Sequence, residues 1–595
     1  MDFPATKGFV SQPSPAKTGI IPWLPVVVFM VTAALIRWHS GASPNYYLLA
    51  GSDGPYYPLQ VRAMSEHFRL AMPDMPLLFF VAAALARALQ FLHVASSDGN
   101  VLLAIRCTNS FLPPLAAIPV FLIGREFGGM GPFKNRLITY LVVAYSILNF
   151  SPVILFSNGV LQKNAVAVIW IFFFLYYALR VLRYGRQRDE WHGVLLLLLC
   201  ALTHYGSAAL LLLFSGIAAL FWLIGHKAYL RLISPRTWVM IPAVILFALG
   251  LIAFFDAQRF HRLVSAPLNL FRAPVLLFAL RGQPVVLTGY VLVNLLVVNL
   301  LALFAAIFLV RSRKQLDFAD KSFTWALIVL ALILSSPIIG LEYANRLFMM
   351  SYVPISIIYL FLFNRLRSGW VKAVPVLLLS LLTIFSIGSG MFDRLPVSIT
   401  DSAFAEFRQI NKSVPFTAQS VIFGRQDLRL LGSWVFRTKQ AADYLFQVSD
   451  FDKYDGVYII QQTSGSNLRA ARFRQLDIPS GSLPVFTGNY FEVYRIPKGS
   501  GWNPGRGLPF WARARGKIVA IRADRGEGGS SAGRAGRIML STGEQVDFSK
   551  ATTIELSGSG AGLAVGMEVE VSGNWEPFSL TVDAADISEV GRVTR

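Results

Sequence analysis

Hydrophobic residues come in long unbroken runs through the first two thirds of the chain, and short polar or basic patches interrupt them. Apolar stretches of roughly twenty residues predict membrane-spanning helices. Eleven such stretches stand at 20–36, 102–124, 137–156, 160–180, 193–206, 208–225, 238–255, 285–310, 323–341, 348–364 and 373–390. A twelfth run at 75–93, "MPLLFFVAAALARALQFLH", opens among Pro73 and Pro76 and carries Arg87 in its middle. It follows an amphipathic segment at 56–69, and the two together predict a pair of interfacial helices rather than a span. The first run is longer than a signal-peptide core, so we expect an uncleaved anchor; cleavage after "SGA" would leave the next loop on the same side.

The pattern changes after residue 390. Residues 391–498 mix helix-like segments, "SAFAEFRQINKSV" and "KQAADYLFQVSDF", with strand-like ones, "DGVYIIQQ" and "FTGNYFEVYRI". This predicts a small α/β domain in which "TGN" turns one strand into the next. Residues 499–511 lie in a Gly- and Pro-rich linker. In 512–595 the segments "GKIVAIRA", "GRIMLSTGEQVDF", "TTIELS", "GMEVEVSGNW" and "FSLTVDAADI" predict a small five-stranded barrel of the OB type. The expected fold class is thus an α-helical polytopic membrane protein of about eleven spans, with a small α/β outer domain and a C-terminal OB-like β-barrel.

Composition agrees with the pattern. The chain has 595 residues, 54% of them hydrophobic and 15% charged, with a mean hydropathy of +0.54. The formal charge of +21 would suggest a nucleic-acid partner in a soluble protein. Here the basic residues crowd the ends of apolar runs, which the positive-inside rule explains, and no nucleic-acid partner is expected. Cys107 and Cys200 both fall in apolar runs and give no disulfide framework.

Placing the 1–19 tail in the cytoplasm puts Arg125, Lys134 and Arg136 inside. It does the same for Arg180, Arg183, Arg186 and Arg188, then Lys227, Arg231 and Arg236, then Arg311, Arg313, Lys314 and Lys321, and finally Arg365, Arg367 and Lys372. Residues 391–595 then lie on the periplasmic or extracellular side of an inner (plasma) membrane, as does the first loop at 38–101. One outer loop, 256–284, breaks the rule with Arg259, Arg262, Arg272 and Arg281. Three readings stand for it: contact with a donor phosphate in an outer cleft, contact with anionic lipid headgroups, and a different topology around this loop.

Candidate chemistry gathers at outer span ends. Asp53 in "LLAGSDGPYYPLQVRAMSEHF" follows the first span; an Asp before Gly54-Pro55 also fits an ordinary turn. Tyr56, Tyr57 and Arg62 follow it. Lys163 stands near one span end, and His204 and Tyr205 stand in the "LTHYGS" turn. "GLEYANRLFMM" supplies Glu342, Asn345 and Arg346. Two readings of Glu342 and Arg346 stand side by side, an i,i+4 ion pair and an arginine for phosphate.

Taken in order, three elements resemble the GT-C superfamily of integral-membrane glycosyltransferases. They are Asp53 in "GSDGPYYPLQVR", the Pro-rich start of "PDMPLLFFVAAAL", and the Arg-containing entry "LLAIRCTNSFLPPLAAIPVFLIGREFGG". The turn in "LLLLLCALTHYGSAALLLLF" is similar to one between later spans of that superfamily. Its members use polyprenyl-phosphate sugars and include protein mannosyltransferases, lipid A aminoarabinose transferases and oligosaccharyltransferases. The likeness covers roughly 20–390.

It implies transfer of a sugar from a polyprenyl-phosphate donor to a lipid, glycan or protein acceptor on the outer side, with inversion and with Asp53 as general base. Arg346, Lys163, Arg259 and Arg262 would hold the donor phosphate. Arg62, Tyr56, Tyr57, His204, Tyr205, Glu342 and Asn345 would line the pocket. Several relatives pair two acidic residues in the first loop. Here the neighbours of Asp53 are Ser52, Gly54 and Pro55, so a divalent cation such as Mg or Mn would need Asp53 with Glu66, Asp74 or Glu342. The alternatives are a lipid-linked-sugar flippase or exporter, and a non-catalytic membrane protein that binds envelope glycans. No internal repeat of the kind a transporter shows is visible.

Overall fold

The structure is a computed structural model. It describes residues 23–40, 46–49, 54–128, 133–148, 162–225, 235–257, 260, 264, 271, 289–312, 316–340, 347, 350–365, 399–424, 426–438, 448–463, 478–499, 510–523, 536–541, 545–555, 563–575 and 581–589.

Fourteen helices described in the first part of the chain follow the apolar runs: α1 (Leu24–Ser40), α2 (Tyr46–Leu49), α3 (Tyr56–His67), α4 (Leu77–Phe91), α5 (Ser97–Phe111), α6 (Ala117–Glu126), α7 (Phe133–Leu148), α8 (Gln162–Tyr184), α9 (Gln187–Thr203), α10 (Tyr205–Gly225), α11 (Pro235–Phe255), α12 (Gly289–Arg311), α13 (Phe318–Leu334) and α14 (Tyr352–Arg365). Among the described residues three helical stretches are long and apolar enough to cross a membrane: Ser97–Glu126, Lys163–Tyr184 and Tyr205–Ile224. Other apolar helices, such as Leu24–His39 and Tyr352–Arg365, are shorter. The expected span at 373–390 lies outside the described residues.

The span expected at 102–124 starts earlier than hydropathy suggested. Helix α5 begins at Ser97, where Ser96 caps it by accepting the Gly99 N–H at 3.2 Å. A 3₁₀ turn at Pro113–Ala116 then joins α5 to α6, because consecutive prolines supply no N–H for the α-helical ladder. Helix α4 has 15 residues, about 22 Å at 1.5 Å per residue. That is shorter than a hydrocarbon core of about 30 Å, as are Leu24–His39 and Tyr352–Arg365. The Arg87 that marked this run donates to the Ser65 carbonyl at 2.8 Å and lies over the Phe68 ring. Phe68, in the left-handed region at φ 54°, ends α3.

Two sets of charges stand far apart on α8. Lys163 is near its start and Arg183 near its end, 20 residues later, so about 30 Å separates them. At the Arg183 end, Asp320 of α13 is fully buried and accepts from Arg183 Nε at 2.9 Å, Arg183 Nη2 at 2.7 Å and Arg365 Nη2 at 2.6 Å. Arg180 donates to Asp189 at 3.1 Å and approaches Glu126 at 3.4 Å. Glu126 also accepts the Tyr184 hydroxyl at 2.9 Å. These contacts tie α6, α8, α9, α13 and α14 together, so several arginines that the charge rule uses only as topology markers are structural ions.

The α/β domain holds a four-stranded sheet of β1 (Val421–Gly424), β2 (Val457–Gln462), β3 (Leu483–Thr487) and β4 (Phe491–Ile496), in the order β1-β2-β4-β3. Strand β2 pairs parallel with β1 and antiparallel with β4. It is buried along its whole length, as a central strand covered on both faces must be. Helices α15 (Asp401–Ser413) and α16 (Gln426–Val435) accompany it. The expected "TGN" turn is present, and Glu406 of α15 fixes it by accepting the N–H groups of Asn489, Tyr490 and Phe491 at 2.9 Å each. Of the helix expected in "KQAADYLFQVSDF", residues 439–447 lie outside the described residues, and Val448–Lys453 is a 3₁₀ helix.

The last five strands are β5 (Phe510–Ala523), β6 (Gly536–Leu540), β7 (Gln545–Glu555), β8 (Glu568–Trp575) and β9 (Thr581–Glu589). They close into a barrel in the order β5-β6-β7-β9-β8. Strands β7 and β9 are parallel and the other neighbours antiparallel. The strand expected across "GRIMLSTGEQVDF" is instead two, β6 and β7, which pair Gly536 with Phe548. The "VDF" half runs on through "TTIE" as one strand. Ser541 follows β6 as a turn residue, and 542–544 lie outside the described residues. Ile518, Ile538, Val546, Val569, Val571 and Ile587 fill the interior.

Candidate functional site at the Lys163 end of the bundle

Local sequence explains how this site is built. In "MPDMP" the two prolines disfavour helix at Met72 and Met75, and Asp74 between them lies outside regular secondary structure, just ahead of α4. Its carboxylate lies just before a helix N-terminus, where the backbone dipole favours negative charge. Asp74 is fully buried. Its Oδ1 accepts the Met75 N–H at 2.7 Å. Its Oδ2 accepts both the Tyr56 hydroxyl and the Lys163 ammonium. The Lys163 side chain is 9% exposed, and its nitrogen stands 5.5 Å from the Tyr56 ring centre and 5.8 Å from that of Phe79.

Gln60, one turn along α3, is fully buried. Its amide donates to the Tyr56 hydroxyl oxygen at 3.1 Å and to the Met72 carbonyl at 2.9 Å, and its carbonyl accepts the Met72 N–H at 3.2 Å. Gln60 therefore ties α3 to the strand of chain that carries Asp74. Tyr56 packs edge to face on Tyr57 at 5.3 Å and on Phe79 at 5.9 Å. The result is an ammonium, a carboxylate, a phenol and an amide held in apolar surroundings. Burying ionisable groups is costly unless they are paired and hydrogen-bonded, as they are here.

Other expected residues are placed elsewhere. Arg62, expected in the pocket, directs its guanidinium at α16: Nη1 donates to the Trp434 carbonyl at 2.8 Å and Nη2 to that of Ser433 at 2.9 Å. Burial is the largest influence on its pKa and lowers it, with Asp98 opposing. Glu66 meets Arg437 at 3.4 Å, on the surface. Glu66 and Asp74 thus have different cationic partners. Asp74 is occupied by three hydrogen-bond donors, and among the described residues no three His, Cys, Asp or Glu side chains gather as metal ligands.

His204 separates α9 from α10 in extended backbone, φ −157° and ψ 112°. Its Nδ1 accepts the Ser207 N–H at 3.1 Å and lies 2.9 Å from the Ser207 hydroxyl. It therefore serves as a cap for α10. Tyr205 follows, with ring centres 5.4 Å apart. Asp53, Arg259, Arg262, Glu342, Asn345 and Arg346 lie outside the described residues.

Sequence reading had no signal for Gln60, which is one polar residue on an amphipathic helix. It did have one for Arg37. This charge near the end of the first apolar run is 2% exposed. It donates to the Asn109 backbone carbonyl at 2.8 Å and to the Asn109 side-chain oxygen at 3.2 Å, locking α1 to α5.

No family model matches the chain, and no curated protein matches it. Solved structures do resemble it. The chain is similar to ArnT from Cupriavidus metallidurans bound to undecaprenyl phosphate, at 13% identity and a TM-score of 0.46, over 80% of this chain and 99% of that one. The apo state of the same protein gives 12% identity and the same TM-score, over 80% and 98%. An Archaeoglobus fulgidus oligosaccharyltransferase, tethered to an acceptor peptide containing the NVT sequon, gives 11% identity and a TM-score of 0.37, over 74% and 69%. ArnT, an aminoarabinose transferase, and the oligosaccharyltransferase are both GT-C glycosyltransferases.

Proposed function

We propose that the protein is a membrane glycosyltransferase that moves a sugar from a polyprenyl-phosphate donor to a lipid, glycan or protein acceptor. The observation that carries this reading is the buried Lys163–Asp74–Tyr56 cluster at one end of an apolar bundle. Asp53 precedes Tyr56 by three residues, so covalent geometry alone keeps their Cα atoms within about 11 Å. A candidate base and a candidate phosphate ligand therefore belong to one neighbourhood.

In the proposed reaction Asp53 takes the proton of an acceptor hydroxyl as its oxygen attacks the anomeric carbon. The bond from that carbon to the phosphate oxygen breaks, prenyl phosphate leaves, and one displacement inverts the centre. Charge grows on the departing phosphate, and fixed cations stabilise it. Lys163, paired with the buried Asp74, would lend its positive charge to the departing phosphate as charge develops there. Arg346, Arg259 and Arg262 would share that task through their forked geometry. Tyr57, Tyr205, Glu342 and Asn345 would line the cleft, and His204 would shape its rim as a helix cap. The Lys163 end would face the exterior and the Arg183 end the cytoplasm, in line with the charge rule. The barrel's strand order fits an OB-type module, here for docking or glycan contact.

Incubation of the purified protein with a labelled polyprenyl-phosphate sugar tests the reading. We expect protein-dependent release of prenyl phosphate matched by label on an acceptor from the cell envelope. Movement of the donor across a vesicle bilayer without bond cleavage would support a flippase instead.

A further inference from the structure

Helix α3 is held at both ends. Tyr56 and Gln60 tie its start to Asp74 and Met72. Arg62, six residues after Tyr56 and about 9 Å along the axis, ties it to the α/β domain. The Arg62 contact is specific: the guanidinium fork takes the carbonyls of Ser433 and Trp434, two of the last four of α16, which have no partner within their own helix. It also lies over the Trp434 ring, 4.4 Å from its centre, and is 7% exposed.

A second observation points the same way. Arg437, just past α16, sits in the left-handed region at φ 55°, a conformation that is strained for a residue with a Cβ. A helix commonly ends there on glycine. Here the arginine side chain reaches Glu66 at the end of α3 at 3.4 Å and Asp98 at the start of α5 at 3.0 Å. Two arginines, one from each side, thus join the domain to the loop helices.

We propose that Arg62 is a positioning residue through which the 399–496 domain holds α3, and with it the Tyr56 end of the candidate site. Acceptor engaged by the domain would then bear on the site through α3. The catalytic part of this inference rests on the glycosyltransferase reading; the mechanical part does not.

Hydrogen exchange on the full-length protein in detergent, with turnover measured in parallel, tests it. Arg62→Met keeps the aliphatic stem but loses the fork, and amides of 56–67 should exchange about tenfold faster. Arg437→Gly removes both surface pairs while suiting the left-handed backbone, and should accelerate the same amides about twofold. In Arg62→Met we expect kcat to fall about tenfold with donor KM unchanged, and Arg62→Lys to recover part of the loss. Faster exchange confined to α16, with α3 as in wild type, would overturn the clamp. A loosened α3 with unchanged kcat would overturn the positioning role. If wild-type protein cleaves no prenyl-phosphate sugar, the functional reading falls, and the exchange data still decide whether Arg62 couples the domain to α3.

Discussion

The Lys163–Asp74 pair makes the most discriminating stability prediction. Asp74 is fully buried and the Lys163 side chain is 9% exposed, so neither charge has water as a substitute partner. Removing one member of a buried pair costs about 3–5 kcal/mol, because the other charge is left in a low-dielectric site. Asp74→Asn and Lys163→Met should each lose roughly that much. Asn places an amide donor where the Lys163 ammonium and the Tyr56 hydroxyl both donate. The double variant removes both charges together and should cost far less than the sum, with a coupling of about 2 kcal/mol or more. Unfolding of the purified variants in mixed detergent micelles measures this. Additive costs, with coupling inside about 0.5 kcal/mol, would refute the reasoning. Turnover then separates structure from chemistry: the double variant regains stability but, lacking Lys163, stays inactive. A double variant with wild-type transfer would make Lys163 purely structural.

Asp320→Asn should lower stability by about 3 kcal/mol or more while leaving donor KM unchanged, since Asp320 serves Arg183 and Arg365 at the far end of the bundle; melting and steady-state kinetics check this. His204→Ala should cost about 1 kcal/mol through the lost cap and His204→Asn much less, with transfer retained in both; loss of transfer in a stably folded His204→Asn would assign the ring a chemical role. Reporter fusions at 128, 186 and 395 should read inside, inside and outside, and any reversal would move the candidate site to the other face of the membrane.

Much of the architecture was legible because the bilayer makes it so. Apolar runs of one length, bounded by basic residues, mark helices whatever they pack against. Alternation and turn residues likewise marked β2, β3, β4 and the strands of the barrel. Strand β1, "VIFG", was missed since four apolar residues between polar ones carry no period. The merged β6–β7 segment was misread because it is apolar on both sides of its turn. At the site, Lys163 was legible as an ionisable residue near a span end, and Asp74 only as a possible carboxylate for a cation. Their pairing across 89 residues was not, because only the packing of α8 against the approach to α4 brings them together. Arg62 shows the converse. It was expected to line the pocket, and its partners are backbone carbonyls 371 and 372 residues away.

Transfer of labelled sugar from a polyprenyl-phosphate donor by purified Asp53→Asn protein, beside wild type, bears most directly on the proposed activity. The account predicts a variant that melts as wild type does yet loses at least about a hundredfold in turnover, the contribution expected of a general base. Undiminished turnover in Asp53→Asn would contradict it.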